Sequence, residues 1–133
     1  MRFMSYAGIV WVAVFTLAGC KSALAIVPVT AISIQAGTPS SGSVSSGVWT
    51  PAVPYTVPQT LQLSAVISPT DATAQTVVWS SSDSTGKITV SSTGFVTAAG
   101  PAGALGEIVI TAAATDFSGT IGTFEVNVNG WGS

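Results

Sequence analysis

The stretch from Val77 to Ala98, VVWSSSDSTGKITVSSTGFVTA, constrains this chain more than any other. A run bearing Trp79 leads into a Ser/Asp/Gly turn, a short run with Ile88 and Val90, a Ser-Thr-Gly turn, and a run with Val96 and Ala98. In each run apolar and polar side chains alternate, which is the period that turns one face of a strand inward and the other outward. A Trp on such a strand is a large rigid filler between two sheets, so Trp79 is expected as a core marker and not as a sugar platform. The same period recurs on both sides. Val29–Ala36 aligns Ile32 with Ile34, and Thr60–Ser68 aligns Leu61, Leu63, Ala65 and Ile67. Glu107–Thr115 aligns Ile108, Ile110 and Ala112, and Gly122–Asn129 aligns Phe124, Val126 and Val128. Seven short strands between turns, with no helical period after the N-terminal segment, predict an all-β, seven-stranded antiparallel β-sandwich. A small β-barrel is the structural rival.

Between Gly37 and Gln59 the alternation dissolves into Gly, Ser, Thr and Pro, including Pro39, Pro51, Pro54 and Pro58. Prolines deny ladder donors and Ser/Gly favour turns, so 37–59 reads as one long loop, a length that is usually functional or disordered. Trp49 and Tyr55 lie in it, and exposed aromatics beside prolines suit contact with a protein or glycan partner. The competing reading folds them back over an open end of the sandwich. Trp131, in the tail 130–133, is a third candidate contact or a plug on the last strand.

The N-terminus carries a second signal. Arg2 precedes an apolar run, Gly8 to Phe15, that is shorter than the roughly 20 residues a membrane-spanning helix needs and is matched to a signal-peptide core. It closes on Leu17-Ala18-Gly19-Cys20, which resembles the lipobox of bacterial lipoproteins. That resemblance implies a signal helix over 1–19, cleavage before Cys20, acylation of the Cys20 thiol, and a short tether over 20–28. Lys21, where an Asp would favour inner-membrane retention, is compatible with the outer membrane of a Gram-negative host. Two alternatives stay open. Ala23-Leu24-Ala25 is an A-x-A site whose use would release a soluble chain from Ile26, and an uncleaved segment would serve as an anchor or a virion element.

Composition narrows the chemistry. Of 133 residues 6% are charged, with three basic against five acidic residues and no His. Cleavage before Cys20 leaves Lys21 and Lys87, too few for a nucleic-acid backbone. One Cys excludes an internal disulfide, so the core is held by packing alone. Ser–His and Cys–His catalysis is impossible, and Asp71, Asp83, Glu107, Asp116 and Glu125 are scattered without the facing pair a glycosidase needs. No catalytic residue is expected. Asp71, Asp83 or Asp116 could contribute to a Ca²⁺ site, but isolated Asp residues serve more often as turn formers, so neither metal nor cofactor is expected.

The pieces VTAISI, LQLSAVISPTDAT, VVWSSSD, ITVSSTGFVTA, IVITAAATD and FEVNV together resemble the bacterial immunoglobulin-like domain, group 2, over Val29–Val128. The resemblance implies an Ig-like domain over 29–129, of the kind found in adhesins, surface proteins and phage structural proteins. Two features depart from it: the long 37–59 connection, and one domain where adhesins carry several in tandem. The resulting expectation is a non-catalytic surface lipoprotein acting as an adhesion, binding or scaffold module. Its partners would be the membrane through Cys20 and a protein or glycan of the cell envelope. Sparsely charged strand edges also leave room for self-association. A phage virion or attachment protein, and a carbohydrate-binding module centred on Trp49 and Tyr55, are the alternatives.

Overall fold

The computed structural model of the protein describes residues 25–53, 58–100 and 106–128. The expected signal helix, Cys20, Tyr55 and Trp131 lie outside the described residues. The described residues form nine strands: β1 (Ala31–Ala36), β2 (Ser43–Ser45), β3 (Val48–Thr50), β4 (Gln59–Ser68), β5 (Val77–Ser81), β6 (Ile88–Val90), β7 (Phe95–Ala98), β8 (Glu107–Ala114) and β9 (Ile121–Asn127). They form a four-stranded sheet, β1-β4-β7-β6, and a five-stranded sheet, β2-β3-β9-β8-β5. The architecture is two facing sheets and not a closed barrel.

Each run with period two is a strand, and its apolar set faces the opposite sheet. In β4, Gln59, Leu61, Leu63 and Ile67 are buried while Gln62, Ser64 and Val66 are exposed. The main core joins Trp49, Leu61, Leu63, Ile88, Val96, Ile108, Ile110, Phe124, Val126 and Val128, drawn from both sheets. A smaller cluster of Val29, Ile32, Ile67, Ala72 and Ala112 fills the end where β1 begins. Trp79 is half-buried and packs against both clusters, which makes it the bridge between them. Full burial of one large aliphatic or aromatic side chain stabilises by about 1.5–3 kcal/mol, so these residues carry the fold.

The strand count and the 37–59 loop need correction. Two further strands, β2 and β3, sit inside that segment and pair antiparallel, Val44 opposite Trp49. Ser46 and Gly47 link them with φ of 51° and 79°, the two left-handed residues of a tight hairpin whose twist matches its strands. β3 then pairs parallel with β9, Val48 opposite Glu125 and Trp49 opposite Val126. The chain thus leaves the first sheet after β1 and joins the edge of the second. The physical reason is Trp49: it is the largest fully buried side chain among the described residues, and the excursion places it in the core.

Candidate functional site

The connections between strands gather at the two ends of the sandwich. At the first end β1 begins, β4 gives way to β5, and β8 turns into β9. The incoming chain is fastened there at several points. The Val29 N–H donates to Asp116 Oδ2 at 2.7 Å, and the Val29 carbonyl accepts the Thr120 hydroxyl at 2.8 Å. Val27 and Thr73 exchange two bonds, Val27 N–H to Thr73 Oγ1 and Thr73 N–H to the Val27 carbonyl, each 2.9 Å. The Ser118 hydroxyl and the Val29 N–H, with the Ser118 N–H, hold the Asp116 carboxyl below the usual carboxylate range. This carboxylate is a latch for the N-terminal segment.

At the opposite end β4 and β8 begin and β7 and β9 finish, as the pairings Gln59–Ala98 and Glu107–Asn127 place them. Gln59 is the one buried polar residue among those described, and it organises this end. Its Oε1 accepts the Ala52 N–H and its Nε2 donates to the Ala52 carbonyl, both at 2.8 Å, so the side chain substitutes for a strand partner. Val53, next to it, is exposed.

Trp49, expected as an exposed loop aromatic, is instead fully buried on β3, with its indole N–H donating to the Ser41 carbonyl at 3.0 Å. It cannot serve as a partner contact from there, and a carbohydrate module centred on it loses one of its two aromatics. The sequence pointed past this because a three-residue strand shows too little alternation to register. The Ser46-Gly47 dipeptide between Val44 and Trp49 was the available hairpin signal.

Among the described residues two carboxylates, Glu107 and Glu125, come together, and no group of three forms. Asp83 caps its own turn, accepting from the Thr85 N–H and hydroxyl at 2.8 and 2.7 Å and from the Ile88 N–H at 2.7 Å. Glu125 lies beside Glu107, whose hydrogen bond and charge push its carboxyl up. Among the described residues no three Asp, Glu, Cys or His side chains are grouped so as to hold a metal ion. A further residue stands out that no motif in the sequence marks: Phe117, in the β8–β9 turn, is 99% exposed at φ 62°. Its signal was an apolar residue out of period in a polar turn, Thr115-Asp116-Phe117-Ser118-Gly119.

Two sheets in this strand order, with β1 on one and β3 parallel to the last strand on the other, define an immunoglobulin-like sandwich. The family model of the bacterial Ig-like domain (group 2) matches residues 44–124, and the chain belongs to that family. The match begins inside β2, so the hairpin bearing Trp49 is part of the family's domain. No curated protein matches the chain.

Proposed function

We propose that the protein is a non-catalytic, lipid-anchored surface lipoprotein whose Ig-like domain acts as an adhesion, binding or scaffold module of the bacterial cell envelope. The observation that carries this reading is the place where the chain enters the domain. Val29, nine residues after Cys20 in the sequence, is latched at one end of the sandwich by Asp116 and Thr120. An acylated Cys20 would hold that end near the bilayer and direct the Gln59 end outward, toward a protein or glycan. More than one acyl chain makes such anchoring stable. The family supports a surface role, and Asp83 and Asp116 are committed to turn and latch hydrogen bonds.

Intact mass of the protein from its native membrane, beside Cys20→Ser, tests the reading. The expected result is a chain beginning at Cys20 with added acyl mass, and neither feature in the variant. A chain beginning at Ile26, or one retaining Met1, overturns it. The partner-contact role expected of Tyr55 and Trp131 is tested by Tyr55→Ala and Trp131→Ala, which are expected to weaken retention of the protein on envelope glycan or protein fractions.

A further inference from the structure

Exposed apolar side chains are distributed unevenly over this domain. Seven large ones are exposed among the described residues, and four of them, Ile26, Val78, Phe117 and Ile121, gather at the end where the chain enters. Val78 and Ile121 flank Ala113 from either side, so the three form one row across β5, β8 and β9 on the outer face. The row lies one residue from the edge of that end, since the next rung pairs Val77 with Ala114. Phe117 projects from the turn beyond it. Its left-handed backbone is costly for a bulky residue, which a turn selected only for folding would avoid with Gly or Asn. The turn is firmly held, because Asp116 and Thr120 on either side of Phe117 both bond Val29.

We propose that this end rests on the phospholipid bilayer that holds the acyl chains of Cys20, with Phe117 inserted at the lipid interface and Ile26, Val78 and Ile121 around it. The inference rests on the lipoprotein reading above. The occupant follows from tether length: five residues, Lys21 to Ala25, lie between Cys20 and Ile26, a reach of at most about 20 Å when fully extended. Tethering this short keeps the apolar end at high local concentration against the membrane. Attraction to anionic lipid is not the cause, because Asp71 and Asp116 lie at this end. Insertion is therefore expected to be deeper in zwitterionic than in anionic vesicles, and the difference to shrink with added salt.

The test uses the acylated full chain, in which Cys20 is a thioether and an introduced Cys is the only free thiol. Phe117→Cys, Ser84→Cys and Phe95→Cys are each labelled with an environment-sensitive fluorophore and reconstituted in phosphatidylcholine vesicles, some carrying nitroxide lipid near the headgroup. The expected result is a blue shift and strong quenching at position 117, with positions 84 and 95 remaining in water. Acylated protein whose position-117 label stays in water, or whose label at 84 or 95 is quenched instead, overturns the inference and leaves the lipoprotein reading standing. Intact mass of the same samples separates the two: absence of acyl mass removes the lipoprotein reading and this inference with it.

Discussion

Gly94 is the point where the backbone of one sheet passes under the indole of the other. Its φ is 84°, and a Cβ there would lie 2.6 Å from the Leu63 carbonyl oxygen and 2.9 Å from Trp79 Cζ2. The Leu63 N–H donates to the Gly94 carbonyl at 2.9 Å, so the backbone cannot retreat without breaking that bond. Gly94→Ala therefore combines left-handed strain with overpacking and is expected to cost about 2–4 kcal/mol. Urea unfolding checks this as a lower midpoint at unchanged slope. Trp49 gives the complementary case. Trp49→Ala empties the largest core site and is expected to cost about 3–5 kcal/mol, a large share of the total for a small domain. Trp49→Phe retains a ring but loses the bond to the Ser41 carbonyl, and about 1–2 kcal/mol is expected to go with it. A Trp49→Ala protein with the parent midpoint would mean that the ring lies outside the core.

Among the elements, long alternating strands were legible and short ones were not. β4 and β8 run over enough residues for the period to declare itself, and Leu61, Leu63, Ile108 and Ile110 point inward as that period requires. β2 and β3 have three residues each, and β3 is fixed by a parallel partner, β9, whose paired residues lie 77 positions further on. Local pattern carries no trace of such a pairing, so Trp49 read as a loop aromatic. Gln59 was hidden for a related reason: a polar residue at an inward position looks like the end of a strand until its partner is seen. That partner is the Ala52 backbone, and the two 2.8 Å bonds fasten the loop after β3 to the start of β4. Gln59→Leu keeps the volume and leaves the Ala52 N–H and carbonyl without these partners. The expected cost is about 1–3 kcal/mol, felt locally. Hydrogen exchange should quicken at Ala52 and Val53 well before it does at Leu61 or Ile110. Equal acceleration throughout would show that the loop and the core open together.

For the molecule as a whole, acid stability is set by carboxylates that pull in opposite directions. Burial pushes the Asp83 carboxyl up, but bonds from the Thr85 hydroxyl and from the Ile88 and Thr85 N–H groups outweigh it and leave it below its usual value. Asp116 is lowered by Ser118 and by the Val29 N–H. Both then contribute stability that is fully present above the unfolded value, about 3.9, and is lost as pH falls through the lower folded value. Glu125 has the other sign. The Glu107 hydrogen bond and charge raise it, so its ionised form opposes folding above the raised value, and that opposition vanishes below the unfolded value of about 4.3. On acidification from neutrality, the unfolding temperature is expected first to rise slightly toward about pH 4–5 and then to fall as Asp116 and Asp83 take up protons. Glu125→Gln removes the rise, lifting the neutral-pH midpoint and flattening the profile down to about pH 4. Asp116→Asn leaves the rise and softens the acid-side fall to the part due to Asp83. Because Glu107 is exposed and Glu125 is only half-buried, added salt should shrink the first effect, whereas the latch at Val29 depends on a direct bond and should respond less. A parent profile that declines steadily from neutral pH, with Glu125→Gln superimposed on it, would mean that the two glutamates do not repel each other in the folded chain.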